Sequence, residues 1–293
     1  MFDIATYTEA RTVDEAASLL AANPEACLIA GGTDILIKLR EGKRSDAHLI
    51  GIRQIGELKA VTLEQTGSIR IGAAATFAQI ATDTLINRQI PLLAQAVQTV
   101  GGPQIRRVAT IGGNVCNGAV SADSAPTLLV LNTVLELYST HGLRCIPLAD
   151  FYHGPGKVDL RPGEILTALS IPADSTTGWG GHYIKYAMRQ AMDIATLGCA
   201  VICRLGAENT LSQVRLAFGV AAPTPVRCPL AEQAVAGKPW STTLAAEFGQ
   251  AAAAEINPRT SWRASREFRL HLAQELAQQA LINAFVKAGG TPL

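Results

Sequence analysis

An apolar run, Ala26-Cys27-Leu28-Ile29-Ala30, breaks at Gly31-Gly32-Thr33-Asp34, and helical spacing resumes over 35–40. Strand, glycine turn, helix is the order in which chains bind phosphate. Backbone N–H groups converge at such a turn because no Cβ blocks positive φ or close approach. About 80 residues later a second glycine pair follows in Thr110-Ile111-Gly112-Gly113-Asn114, then Cys116-Asn117-Gly118 and Ser121-Ala122-Asp123-Ser124-Ala125-Pro126. One such turn cradles one phosphate; two brought together would clasp a pyrophosphate without lysine or arginine. Each alone is equally compatible with simple turn chemistry. Neither is a Walker A loop, since no Gly-Lys-Ser/Thr follows. No Gly-x-Gly-x-x-Gly follows a strand either, which excludes a Rossmann dinucleotide binder of the common kind.

With 293 residues the chain exceeds the usual one-domain length, so two domains are expected. A chain that is 48% hydrophobic and 17% charged is too apolar for disorder. A net charge of +1 and 5% aromatics leave neither the field nor the stacking surface that a nucleic-acid binder needs. The opening Met1-Phe2-Asp3-Ile4 has no basic or apolar leader pattern, and the longest apolar stretch, 125–137, is interrupted by Asn132 and Glu136. It falls short of the ~20 residues of a membrane span, so no membrane partner and a cytoplasmic location are expected. Six cysteines (Cys27, Cys116, Cys145, Cys199, Cys203 and Cys228) lack paired Cys-x-x-Cys spacing, which argues for small core residues in a reducing compartment and against a metal site.

Helices are expected over 13–22, with Thr12 as cap, from Thr76 onward, over 91–101, near 127–131, over 243–255 and over 265–286. Strands are expected at 26–30, 49–52, 68–72, 134–138, 164–172, 182–188, 195–205 and 213–220. The Ser/Thr/Gly-rich stretch 174–181 marks a boundary, giving domains at 1–175 and 180–290. Three strands followed by helices make the second an α+β unit. Five scattered histidines, no His-Glu-x-x-His and no Gly-x-Ser-x-Gly leave no visible acid–base or nucleophile set. Arg106-Arg107 before the second motif could steer an anion. Hard chemistry would therefore come from a bound cofactor.

The two glycine motifs, with Ala-Asp-Ser-Ala-Pro at 122–126, Gly-Glu-Ile-Leu at 163–166, Tyr-Ile-Lys-Tyr-Ala-Met-Arg at 183–189 and Ser-Trp-Arg-Ala-Ser-Arg-Glu-Phe-Arg at 261–269, resemble the FAD-binding subunits of molybdenum hydroxylases. That family includes the flavin subunits or domains of xanthine and carbon monoxide dehydrogenases, and the wording is most similar to the separate flavin subunit of the bacterial xanthine type. The resemblance spans essentially the whole chain. It implies an α/β plus α+β fold: an N-terminal FAD-binding domain of two α/β subdomains, then a three-stranded antiparallel sheet with helices.

The resemblance also implies roles. Cys27, Leu28, Ile29, Ala30, Gly31, Gly32, Thr33, Asp34 and Ile35, with Thr110, Ile111, Gly112, Gly113 and Asn114, would wrap the FAD pyrophosphate mainly through backbone N–H groups. Asp123 would accept a hydrogen bond from an FAD hydroxyl. Val100 and Leu166 would lie against the ring system, and Lys185 would reach the isoalloxazine and favour its reduced form. The implied function is electron transfer from the [2Fe–2S] clusters of one partner subunit through FAD to NAD+. A molybdenum-cofactor subunit would oxidise a purine, in a heterotrimer or its dimer. Rival readings are a related hydroxylase acting on carbon monoxide or a heterocycle, a self-sufficient flavin oxidoreductase, and a scaffold subunit without cofactor. The intact glycine pairs argue against the last.

Overall fold

The computed structural model describes residues 2–291. The N-terminal strand Ile4–Glu9, absent from the sequence-based expectation, pairs in parallel with Ala47–Gly51, which pairs in parallel with Cys27–Ile29. The central strand is covered on both faces, as parallel sheets require. Leu49 packs against Leu39 of helix Ile35–Arg40, while its neighbour Ile50 packs against Ala16, Ala17 and Leu20 of helix Val13–Ala22. That second helix starts where the sequence says it should: Thr12 Oγ1 accepts the Glu15 N–H at 3.1 Å.

A five-stranded antiparallel sheet follows, in the order Val61–Leu63, Ile69–Gly72, Ile165–Ile171, Val134–Ser139, Gly142–Pro147. Its central strand arrives last in sequence, so this sheet closes only when the chain has returned from residue 147 to residue 165. Helices Phe77–Thr82, Pro91–Gln98 and Ser124–Val130 bury their apolar sides against it in the largest core of the molecule. Thr76 begins the first of these with a reciprocal capping box to Gln79.

The three expected C-terminal strands are Gly180–Tyr186, Leu197–Leu205 and Leu211–Gly219, antiparallel, and the two-residue strand Val226–Arg227 adds a fourth. Side-chain alternation splits the middle strand between two cores. Cys199, Val201 and Cys203 face helices Thr242–Glu255 and Arg266–Lys287, whereas Ala200 and Ile202 join the core of the five-stranded sheet. Burial on both faces explains why 197–203 reads as an unbroken apolar run. It also welds the C-terminal sheet to helices Pro91–Gln98 and Ser124–Val130, so the cleft described next has a fixed back wall.

Candidate functional site

The two glycine motifs meet in a cleft of about 600 Å³ between the parallel and antiparallel sheets. Residues 27–35 line it together with Val100, Thr110, Gly112, Gly113, Asn114 and Leu166, all of them expected. The volume suits a cofactor-sized molecule.

The first motif is built to hold an anion. Gly32 adopts φ +72°, in the left-handed region that favours glycine. Among the described residues nothing accepts the backbone N–H groups of Gly31, Gly32, Thr33, Asp34 or Ile35; the first bond made is Leu36 N–H to Gly32 O at 3.1 Å. A run of free donors at a helix start is a nest for phosphate oxygens.

The second motif differs from the expectation. Instead of a turn with free donors it is the start of helix Ile111–Cys116, capped by Thr110. Four of its five N–H groups are used: Ile111 to Ala75 O at 3.0 Å, Gly112 to Ala73 O at 2.8 Å, Gly113 to Thr110 Oγ1 at 3.2 Å and Asn114 to Thr110 O at 3.0 Å. The two motifs therefore differ in what they offer the cleft: the first has five N–H groups without an acceptor among the described residues, the second only that of Thr110.

The glycines divide in the same way. A Cβ on Gly31 would stand 2.0 Å from Val108 O, and one on Gly112 would stand 2.6 Å from Ala73. These two glycines let backbones touch. A Cβ on Gly113 would meet only Thr110 Oγ1, at 2.9 Å, within a residue that lines the cleft. Its missing side chain leaves room for a ligand.

Lys38 and Asn117 are among the lining residues that the sequence-based site set missed. Lys38 Nζ donates to Asn117 Oδ1 at 3.2 Å, and Asn117 Nδ2 donates to Asp34 Oδ1 at 3.0 Å. Asn117 thus ties the two motifs together and holds an ammonium at the cleft. The available signal was helical periodicity: Lys38 lies one turn beyond Asp34 and Asn117 one turn beyond Gly113. Asp34 itself stands at the N-cap position without a side-chain cap bond. Cys116 also lines the cleft, with burial pushing its thiol up to about 12, so it is an apolar wall rather than a nucleophile.

At the other edge, Arg144 binds Asp159 and Glu164, each at 2.7 Å. Burial works to raise the Glu164 carboxyl, but hydrogen bonds from Arg144 and the Arg161 N–H hold it below its ordinary range. This fixes residues 160–164 beside Leu166.

Three expected site residues do not line the cleft. Ile111 is fully buried in the core. Asp123 and Lys185 are bonded to each other, Nζ to Oδ2 at 2.8 Å, with Tyr183 Oη donating to Asp123 Oδ1 at 2.8 Å. Burial raises the Asp123 carboxyl, against the pull of Lys185 and both hydrogen bonds. Arg106 sits on helix Pro103–Val108 rather than a loop, and it donates to Val100 O at 3.0 Å and Gly101 O at 3.2 Å, fastening the wall instead of steering an anion. No group of His, Cys, Asp and Glu among the described residues is arranged to hold a metal ion, and no described helix is long and apolar enough to cross a membrane.

Comparison with known proteins agrees with this geometry. Residues 2–174 match the family described as FAD binding domain in molybdopterin dehydrogenase, and residues 182–284 match the CO dehydrogenase flavoprotein C-terminal domain. The chain is 47% identical over 290 residues to the xanthine dehydrogenase FAD-binding subunit of Escherichia coli O157:H7, covering 99% of each. It is 28% identical over 283 residues to the carbon monoxide dehydrogenase medium chain of Hydrogenophaga pseudoflava, covering 96% of this chain and 97% of that one. A solved structure of carbon monoxide dehydrogenase from the same organism superposes with a TM-score of 0.92, covering 98% of this chain and 99% of the other. Two family models that together span almost the whole chain, and a relative 47% identical over 99% of it, show that the chain belongs to the FAD-binding subunits of the xanthine dehydrogenase-like molybdenum hydroxylases.

Proposed function

We propose that the chain takes electrons from the [2Fe–2S] clusters of one partner subunit and passes them through FAD to NAD+. A molybdenum-cofactor partner hydroxylates hypoxanthine and xanthine in the same cytoplasmic complex. The observation that carries this reading is the 47% identity over 99% of both chains to a xanthine dehydrogenase FAD-binding subunit. The chain then consists of an FAD domain at 1–175 and a second domain at 180–290.

The residues present fit FAD. Free N–H groups from Gly31 to Ile35 would hold the pyrophosphate, Lys38 would balance part of its charge, and Gly113 leaves the space it needs. Val100 and Leu166, which both line the cleft, would offer apolar contact to the ring system. When bound, FAD supplies the exchange between one-electron and two-electron carriers. The chain's own residues would bind and orient it, and the purine chemistry is assigned to the molybdenum-cofactor partner.

Lys38→Met is expected to weaken FAD binding about 5- to 10-fold, because a charge-assisted hydrogen bond of roughly 1.5–3 kcal/mol is cut to about 1 kcal/mol by the exposure of the side chain. The loss should shrink in high salt. Fluorescence titration of the apoprotein with FAD at two salt concentrations measures it, and a salt-independent affinity would remove Lys38 from the phosphate site.

The division of labour has its own test. The purified chain should be yellow and oxidise NADH with an artificial acceptor, yet leave hypoxanthine and xanthine untouched. The complex purified with its partners should contain molybdenum and iron and oxidise both purines. Purine hydroxylation by the pure chain would refute the division. A complex that oxidised carbon monoxide or another heterocycle instead would overturn the substrate while leaving the flavin role intact.

A further inference from the structure

The side-chain amide of Asn117 stands between two charges that helical spacing would otherwise bring together. Asp34, at the cap position of helix Ile35–Arg40, and Lys38 within it are four residues apart, a spacing at which an acid and a following base usually pair. Here they do not. Among the described residues Lys43 and Lys185 pair with carboxylates, whereas Lys38 Nζ donates to Asn117 Oδ1 at 3.2 Å and Asp34 Oδ1 accepts from Asn117 Nδ2 at 3.0 Å. These neighbours fix which way the amide faces, since an ammonium only donates and a carboxylate only accepts. Asn117 is itself held in place. It caps the C-terminal end of helix Ile111–Cys116 with its N–H on Gly113 O at 3.0 Å, and Gly118 follows at φ +62°, its carbonyl accepting from the Gly156 N–H at 2.9 Å. Asp34, Lys38 and Asn117 all line the cleft.

We infer that Asn117 is a positioning residue whose amide works as a spacer: it keeps Asp34 from neutralising Lys38, and so leaves the ammonium's charge to the anion that the free N–H groups of Gly31 to Ile35 receive. The inference rests on the FAD reading of the cleft. An amide oxygen holds the lysine in one place without cancelling its charge, whereas a carboxylate at the same distance holds it and cancels it. The amide nitrogen meanwhile gives Asp34 a donor, so the carboxylate has no need of the ammonium. A neutral side chain from the second glycine motif, 79 residues from Lys38, thus sets the charge that the first motif offers. The second motif takes part in anion binding in this way although four of its five N–H groups are bonded within the chain.

The test is the affinity of the apoprotein for FAD, read by fluorescence titration at low and high salt in variants whose folding is checked by circular dichroism. Asn117→Ala should weaken binding about 5- to 10-fold, as Lys38→Met does, because both withhold the same charge from the anion. The two together should bind no more than about 2-fold more weakly than either alone, as expected of residues that act as a unit. Adding Asp34→Asn to Asn117→Ala removes the group that captures the ammonium, and should bring affinity back to within about 2-fold of the wild type. Asn117→Asp keeps the shape of the side chain but pairs with Lys38 itself. It should lose at least as much affinity, and Asp34→Asn should not restore it. Each unrescued loss should shrink in high salt. A loss in Asn117→Ala that neither Asp34→Asn nor salt relieves would mean that the amide only packs the helix end, and would overturn the spacer. Wild-type affinity in Asn117→Ala would overturn it too. Wild-type apoprotein that binds no FAD would instead overturn the flavin reading, and the inference with it.

Discussion

Gly113→Val is expected to yield a folded protein that has lost its yellow colour. The new Cβ meets only the Thr110 hydroxyl, at 2.9 Å, and that side chain can rotate away at the loss of a cap bond worth about 1 kcal/mol. The remaining methyl groups then occupy the space facing the free donors of Gly31 to Ile35. Displacing the pyrophosphate from two or three of those donors, at roughly 1.5–3 kcal/mol each, weakens affinity by about two to six decades. Gly112→Val should behave in the opposite sense. Its Cβ would stand 2.6 Å from the Ala73 backbone oxygen, which is fixed by the sheet and cannot yield, so the N-terminal part should fail to fold. Flavin-to-protein absorbance after dialysis, read beside circular dichroism, separates the two. A Gly113→Val protein that stays fully yellow would remove the pyrophosphate from this wall, and a folded, yellow Gly112→Val would contradict the packing argument.

Local chemistry was legible where it acts within a few residues. Thr12 and Thr76 cap helices as their spacing suggests, and Ile35–Arg40 follows its glycine turn. The long C-terminal strands and helices were visible because each carries enough apolar residues at its own period to bury a face, and the middle strand buries both. The second glycine motif is spelled like the first but is bonded differently. Only the fold shows that Ala73, Ala75 and Thr110 already accept its N–H groups, and that Gly31 and Gly112 are glycines because Val108 and Ala73 press against them. Apart from Thr110, these partners are remote in sequence, and no short window contains them. The same holds for Lys38 with Asn117, 79 residues apart, and for Lys185 with Asp123, 62 apart. Charge at the site is set by these long-range pairs. Strand Ile4–Glu9 was missed for a different reason: it is an exposed edge without an alternating apolar face.

Arg269→Met should cost the protein more stability than most single substitutions while leaving its flavin in place. Arg269 is the largest fully buried side chain, 2% exposed, and no carboxylate among the described residues pairs with it. Its guanidinium instead donates to Thr196 O at 3.1 Å, to Ser261 Oγ at 2.9 Å, to Ala264 O and to Arg259 O. One side chain on helix Arg266–Lys287 therefore fastens both the segment 259–264 and Thr196, the residue just before strand Leu197–Leu205. Burial, with Arg259 and Arg263 nearby, pulls its pKa below the ordinary arginine value, so the charge is held there at a cost that these acceptors offset. Methionine keeps most of the bulk and removes every donor. Several buried acceptors are left unpaired at about 1–3 kcal/mol each, less what water recovers, for a total of roughly 3–5 kcal/mol. At about 2–4 °C per kcal/mol for a chain of this size, Tm should fall by roughly 6–20 °C. Arg269→Lys, with three donors, should recover part of it. FAD should remain bound well below the melt, because every residue lining the cleft lies between Leu20 and Leu166. Differential scanning calorimetry with parallel flavin absorbance reads both quantities. Release of FAD at temperatures where Arg269→Met is still folded would mean that the C-terminal part holds the cofactor as well as covering its site.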